Sequence, residues 1–512
     1  MKTSRLTRVA ILLSSLFLVD KALAILRQIL VARQFGLSPE LDAFNVANNV
    51  PDLLFALISG GALAIAFIPV LTEVLTTSGR KPAWQLFSRI ANLAFLVTVG
   101  LSVLVAIFAS NIVKAQIGIA PGFTSSQQDL VIQLMRLNLV ATVIFSISGL
   151  VMAGLQSNQH FLLPALAPIF YNIGQIFGVL ILSPAKGYTL GSITLPALNL
   201  GVRGLVFGVI IGAVLHLLIQ VPGLLKFQFR WSLGLGLRTP EVQKVLRLMG
   251  PRLVTIFFIQ LIFLIRDNLA SRLASGAVTS LTYGWMLQQV PETLIGTAIG
   301  TALLPTLSEQ FAANKTEEFR VTIEKAVRVL VALCLPIAVT LAIGLRPLLA
   351  FAFDFGQQGT RLLAWVTAAF LGGLLGHSLK EVSARAFYAR QNALIPLLTA
   401  GINVALYAVL GSLLFRPLGA PGIALTDSIV FTLESILLLI LLGRKMKLSV
   451  HLGSTFWRAV AAAVFAGIAT WLSLSFLEPR IHSILAASIA MLTGLVVSLP
   501  WMQKEIRLLL HL

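Results

Sequence analysis

Asp20, Lys21, Arg27 and Gln28 sit within one long apolar run, and Asp42, Asn45, Asn49 and Asp52 sit within the next. Asp20 and Arg27 are seven residues apart, as are Ser14, Lys21 and Gln28, so two adjacent stripes of one helix face are polar. The second set is spaced three, four and three, again on one face. Lys21 and Arg27 lie about 9 Å apart along a helix that rises 1.5 Å per residue. Two cations at that separation suit a diphosphate, whose oxygens accept charge-assisted hydrogen bonds, bidentate ones from Arg. Asp42 and Asn49 join them as candidate substrate-binding residues. The competing account is an internal salt bridge, Arg27 with Asp20 or Asp42, serving helix packing. A charge at the centre of a bilayer costs roughly 2.5–3.5 kcal/mol on insertion scales, so such residues turn towards a cavity or the bundle interior. A hydrated, charged cavity inside a membrane is the functional expectation.

Other ionisable residues fall inside apolar stretches further on. Arg252, after Pro251, suits either a lipid headgroup or a snorkelling interfacial position. Arg266 and Asp267 form a candidate gate pair or mark an interface, and Asp20 joins them as a gate or coupling residue. His377, Glu381 and Arg385 recur every four residues, with Lys380 beside them. Glu before Arg at that spacing is a favourable helix pair, which favours a structural role for Glu381 over a proton relay. Asp427 and Glu434 share a face and have the chemistry to bind a cation. No cluster of His, Cys and carboxylates has metal-site spacing, and no nucleophile elbow or phosphate-cradling loop is present. Gly234-Leu235-Gly236 lacks the preceding strand of a nucleotide motif.

These residues must be held by membrane helices. Of 512 residues, 57% are hydrophobic and 11% charged, against about 25% charged in soluble domains. The net charge of +19 is dispersed among apolar spans, so it signals topology and lipid contact rather than nucleic acid. A single Cys334 excludes a disulfide within the chain. Residues 1–24 mimic a signal peptide, but hydrophobic sequence resumes at Ile25 and Asp20 and Lys21 occupy the would-be cleavage region, so a retained first span is expected. Ser38 reads as an N-cap followed by Pro39 at the first helical position. Gly204, Gly208 and Gly212 form a ridge that permits close helix approach.

The expected fold is an all-α polytopic membrane protein of about fourteen transmembrane helices. Val50-Pro51 through Glu73 parallels Val290-Pro291 through Glu309; Gln159 to Pro164 parallels Gln391 to Pro396; Gly201 to Gly204 parallels Gly419 to Gly422. Three landmarks in one order imply two pseudo-symmetric six-helix lobes in the same orientation, as in transporters with a central site. The expected domains are residues 1–228 (first lobe, six spans), 229–249 (cytoplasmic interfacial linker helix), 250–447 (second lobe, six spans) and 448–512 (two additional spans). Basic residues gather on one set of loops, at Arg80/Lys81, the linker, Lys315/Arg320/Lys325 and Arg444/Lys445/Lys447. With Lys2, Arg5 and Arg8 on that side, both termini are expected in the cytoplasm.

The run Arg27 to Gly36, with Asp42-Ala-Phe, Val50-Pro51-Asp-Leu-Leu, Gly61-Ala and Ala66 to Leu71, resembles the MurJ (MviN) lipid II flippases. The likeness resumes at Pro251-Arg252, Gln260, Leu269-Ala270-Ser271, Tyr283, Pro291, Gly300 to Ser308, Phe387 to Asn392 and Pro396. The resemblance implies an exporter fold of the multidrug/oligosaccharidyl-lipid/polysaccharide superfamily, with two lobes around a V-shaped central cavity and alternating access. It implies a flippase, not an enzyme, for lipid II or a similar polyprenyl-diphosphate glycan in the bacterial cytoplasmic membrane, serving peptidoglycan synthesis and cell shape. Expected partners are that lipid-linked glycan, membrane lipids and the cell-wall synthesis machinery, with no nucleic acid; the chain is expected to be a monomer without cofactor. Sodium, proton and membrane potential all stand as coupling sources. The family's cavity arginine and glutamate on the second helix align with Phe55 and Gly60, its eighth-helix Asp-Arg pair with Trp285-Met286, and its first-helix arginine with Lys21. Export of another lipid-linked polysaccharide precursor is the alternative within transport. A polytopic glycosyltransferase or ligase requires a polar catalytic loop that the short loops disfavour, and a non-transporting scaffold is the remaining class.

Overall fold

The computed structural model describes residues 5–60, 62–446 and 453–509. The chain divides into two compact units, Met1–Asn268 and Leu269–Leu512.

The first unit opens with α1 (Arg5–Phe35), then turns at Gly36, whose φ of 60° suits glycine. α2 (Pro39–Phe55) begins as the sequence predicts: the Leu41 N–H donates to Ser38 Oγ at 3.2 Å, with Pro39 in the first turn. A π-helical turn, Ala56–Gly60, follows Pro51 and leads to α3 (Ala62–Thr77). Proline removes one N–H from the ladder and crowds the preceding turn, and a π turn absorbs the mismatch. Then come α4 (Arg80–Lys114), α5 (Ser125–Ser157), α6 (Leu162–Phe177) with its π extension Gly178–Leu182, a two-residue hairpin β1 (Thr189–Leu190) and β2 (Ile193–Thr194), α7 (Val202–Leu218), α8 (Val221–Lys226) and α9 (Pro240–Ala270).

The glycine ridge on α7 is used. A Cβ at Gly208 would lie 2.8 Å from Gly178 Cα, and one at Gly212 would lie 2.6 Å from the Tyr171 carbonyl oxygen. Backbone-to-backbone contact with α6 leaves no room for a side chain.

The expected linker helix over 229–249 is not a separate element. Residues 228–239 are irregular, and α9 starts at Pro240 and runs through Gly250-Pro251 without a break. Its first turns belong to the first unit, because Val242, Val245 and Met249 are buried in a core with Phe67, Trp84 and Phe87. Lys244 also pairs with Glu73 at 2.6 Å.

The second unit contains α10 (Ala277–Glu292), a π turn Thr293–Thr297, α11 (Ala298–Ala312), α12 (Thr316–Gly344), α13 (Arg346–Phe353), α14 (Gly356–Leu371), α15 (Leu374–Ala389), α16 (Leu394–Met446), α17 (Ser454–Leu477) and α18 (Ser483–Leu509). α16 has 53 residues and turns sharply at Gly419, where φ is 63° and ψ −145°. α12, α17 and α18 are tied by buried Glu505, which accepts hydrogen bonds from Thr455 Oγ1 at 3.0 Å and Arg458 at 3.2 Å, while Arg328 stands 3.8 Å away.

The repeat read from sequence recurs in the backbone. Gln159 and Gln391 both take left-handed φ, 58° and 56°, and the next N–H reaches back five residues in each unit, His160 to Leu155 and Asn392 to Phe387, both at 3.0 Å. Gly201 and Gly419 share φ near 60° (55° and 63°) with ψ of −139° and −145°. A π turn follows Val-Pro in both copies. Among the described residues, eleven helical stretches are long and apolar enough to cross a membrane. The stretch Leu394–Arg444 counts as one although it bends at Gly419.

Candidate functional site

In the first unit an amide organises the charges of α1. Asn172 on α6 donates from Nδ2 to Asp20 Oδ1 at 2.8 Å and accepts from Arg27 at its Oδ1 at 3.1 Å. The Asp20–Arg27 bridge considered from sequence is therefore relayed through a third residue. The glycine contacts between α6 and α7 fix the helix that carries that residue. Lys21 Nζ lies 3.7 Å from Asp20 Oδ2 and 5.0 Å from the Phe17 ring, with its side chain 56% exposed. The result is one carboxylate between two cations, with Lys21 the accessible one. Such a group can bind an anion while its own carboxylate limits the net charge.

Asp42 is buried in the first turn of α2, where a negative charge complements the helix dipole. Asn49 donates its side-chain amide to the Asp267 carboxylate, and Arg266 Nε donates to Asp267 Oδ1 at 3.2 Å. Arg266 and Asp267 are both buried. The expected gate pair is thus joined by Asn49, which locks α2 to α9. Arg252 falls within α9, but its side chain lies outside the described residues. Phe55, where a family arginine was expected, packs edge-on to Phe145 at 5.4 Å, and Phe145 packs on Tyr171 at 5.0 Å.

In the second unit α15 and α16 bring the remaining candidates together. His377 Nε2 lies 2.8 Å from Asp427 Oδ2. Lys380 Nζ lies 3.5 Å from Glu434 Oε2 and 4.4 Å from the Phe431 ring, on which the His377 imidazole stacks at 4.1 Å. Glu434 also accepts from Thr399 Oγ1 at 3.3 Å and Asn403 Nδ2 at 2.7 Å. Glu381 pairs with Arg385 at 3.1 Å, as the spacing predicts. Among the described residues no group of three or more His, Cys, Asp or Glu is placed to hold a metal ion.

Sequence spacing did not identify Asn172, Thr399 or Asn403, nor the buried trio Ser148, His216 and Gln220, in which Ser148 Oγ lies 2.6 Å from His216 Nδ1. Their signal was present: each is a polar residue in a mainly apolar stretch.

The family described as Lipid II flippase MurJ matches residues 31–493. The chain belongs to this family. A relative from Burkholderia cenocepacia, "Lipid II flippase MurJ", is 31% identical over 487 residues, covering 92% of this chain and 91% of its own. A "Probable lipid II flippase MurJ" from Vibrio cholerae is 27% identical over 497 residues, covering 92% and 91%. A solved MurJ structure in an inward closed conformation superposes with a TM-score of 0.77 at 20% identity, over 97% of this chain and all of that one. An inward-facing multidrug resistance MATE transporter of the MOP superfamily gives 0.68 at 14% identity, over 84% of this chain and 94% of its own. The MurJ-family fold is carried here with Phe55 in an aromatic cluster and with Lys21 and Arg27 as cations on α1. The chain is a multi-pass membrane transporter, not a catalyst.

Proposed function

We propose that the chain flips lipid II, or a closely similar polyprenyl-diphosphate glycan, from the inner to the outer leaflet of the bacterial cytoplasmic membrane by alternating access. The observation that carries this is the pair of α1 cations gathered around Asp20 and Asn172, in a chain of the MurJ family over nearly its whole length. Lys21 and Arg27 meet the diphosphate, and Arg252 receives it near the cytoplasmic end of α9. Asp42 orders the first turn of α2, and Asn49, Arg266 and Asp267 hold α2 to α9. Fourteen crossings follow if α1 and α2–α3 each span and α16 spans twice about Gly419. An even number agrees with both termini in the cytoplasm, on the side of the basic loops. The chain works as a monomer, beside the enzymes that make and consume its lipid-linked substrate.

Complementation of a bacterium depleted of its lipid II flippase is the test. Growth and normal cell shape are expected at expression levels where Lys21→Ala fails. Failure of the wild-type chain, with the protein present in the membrane, rejects lipid II as the substrate.

A further inference from the structure

The internal repeat separates what the helix packing needs from what has been added to it. His377 lies fourteen residues before Gln391, and Phe145 lies fourteen before Gln159; Asp427 lies eight after Gly419, and Val209 eight after Gly201. The first unit thus fills the positions of His377 and Asp427 with two apolar side chains. The helix packing does not require a polar pair there. Yet in the second unit the pair is present, with the His377 side chain 13% exposed and that of Asp427 7% exposed.

Charge balance gives the pair a function. Lys380 balances Glu434, and Arg385 balances Glu381. Among the described residues, the His377 imidazole is the ionisable group within ion-pair distance of Asp427. A carboxylate oxygen only accepts, so neutral His377 donates Nε2–H to Asp427 and leaves Nδ1 as the atom that takes a proton. With that proton the pair is neutral overall; without it, Asp427 carries an unbalanced charge in a membrane interior, which costs several kcal/mol. Histidine is the side chain that ordinarily changes charge between pH 5 and 8.

We propose that His377–Asp427 is a proton-binding site, and that the chain exchanges protons for lipid II. This rests on the flippase reading above. The proton enters from water on one side of the membrane and leaves to water on the other, so only an N–H bond forms and breaks. The pair sits among contacts that join α15 to both halves of α16. His377 and Lys380 share the Phe431 ring. Lys380 holds α15 to the second half of α16 through Glu434, and Asn403 holds the first half to the same carboxylate.

The groups facing the pair come from several elements. On α15 they are Lys380, over the same Phe431 ring, and the Glu381–Arg385 pair on the following turns; on α16 it is Glu434, which pairs with Lys380. Glu292 at the end of α10 is within electrostatic reach of His377, and Cys334 of α12 touches Ser378 beside it. None of the cations among them lies on Asp427.

The experiment uses the full chain in liposomes that enclose a pH-sensitive dye, with lipid II scored by leaflet and the membrane potential clamped by potassium and an ionophore. One proton exchanged per lipid II shifts the steady leaflet ratio by about tenfold per unit of imposed pH gradient. The dye should report proton movement when lipid II is added. His377→Gln, which keeps a donor for Asp427 but does not titrate, should lose both the gradient-dependent shift and the proton flux. His377→Phe restores the first-unit residue and serves if the glutamine variant misfolds. A wild-type ratio unmoved by pH gradients, a full gradient response in either variant, or a response to sodium gradients alone overturns the proposal. Absence of wild-type flipping in every gradient rejects the flippase reading itself, and this proposal with it.

Discussion

One helix contact is built twice in this chain, and the two copies use different chemistry. Ser148 lies eleven residues before Gln159, as Lys380 does before Gln391; His216 and Glu434 each lie fifteen residues after Gly201 and Gly419. In the first unit the contact is neutral: Ser148 Oγ lies 2.6 Å from His216 Nδ1, and Gln220 donates to Ser148 at 3.0 Å and to the His216 carbonyl at 2.8 Å. In the second it is ionic, with Lys380 and Glu434 3.5 Å apart and two neutral donors completing the carboxylate's shell. Ser148, His216, Gln220 and Glu434 are buried, so these polar groups must be satisfied internally. The fold accepts either solution. The difference teaches that the buried charges of the second unit are an addition to the packing, as the charges of α1 are in the first unit.

The strongest way to break this comparison is to unbalance the ionic copy. Lys380→Ala leaves the buried Glu434 carboxylate without its cation, and a loss of about 3–5 kcal/mol is expected; Glu434→Ala leaves the partly exposed Lys380 and should cost less. Joint replacement by the first unit's residues, Lys380→Ser with Glu434→His, should recover most of it. Denaturant unfolding in detergent measures both. A cost of less than about 1 kcal/mol for Lys380→Ala, or a double variant no better than the singles, would show that the two contacts are not equivalent.

A smaller effect is expected at the relay on α1. Asn172→Leu removes the donor of Asp20 and the acceptor of Arg27 together, each a hydrogen bond to a charged group worth about 1.5–3 kcal/mol. Leaflet-resolved flipping should fall by at least about tenfold, since 1.4 kcal/mol is a factor of ten, with the amount of folded protein unchanged. Lys21→Arg should retain flipping and Lys21→Ala should abolish it. Arg27→Lys should fall between, because Lys lacks the planar fork. Full activity in Arg27→Ala, or rescue of Arg27→Ala by Asp20→Ala, would reduce the relay to a packing device.

The α6–α7 contact supplies a third measure. Gly208→Ala places a Cβ 2.8 Å from Gly178 Cα, against backbone that cannot give way. A cost of about 1–3 kcal/mol is expected from such overpacking. Gly100→Ala, with open space at its Cβ, is the control.

Much of the fold was legible because membrane helices announce themselves as long apolar runs, and the repeat because its turns need particular residues. Gly201 and Gly419 occupy the same left-handed conformation, and Gln159 and Gln391 the same helix end. The linker was misread because Pro251 looks like a boundary, whereas α9 continues through it. Of the site, the residues on α1 were legible from spacing alone. Their partner was not, since Asn172 lies 152 residues from Asp20 in sequence. His377 shows the same limit: helical spacing set it one turn before Glu381, and the fold gave it Asp427, 50 residues away. Local periodicity states which face a residue occupies, but tertiary packing decides what that face meets.

The smallest effect belongs to the pair that sequence did predict. Glu381 and Arg385 lie 3.1 Å apart on one helix, with side chains 37% and 19% exposed. A pair of this kind, one turn apart, contributes about 0.2–0.5 kcal/mol, because water already solvates much of the carboxylate. Glu381→Gln should therefore cost only a few tenths of a kcal/mol, far below Lys380→Ala on the same helix. Arg385→Ala should cost more than Glu381→Gln, since Arg385 also donates to Thr301 and lies across Gly300, where a Cβ would come within 3.0 Å of its Cδ. A double-mutant cycle isolates the pair from those contacts. A coupling of about 0.3–0.5 kcal/mol is expected. A coupling several times larger would place Glu381–Arg385 with the buried charges of Lys380–Glu434, and the charge count that leaves Asp427 to His377 would have to be drawn again.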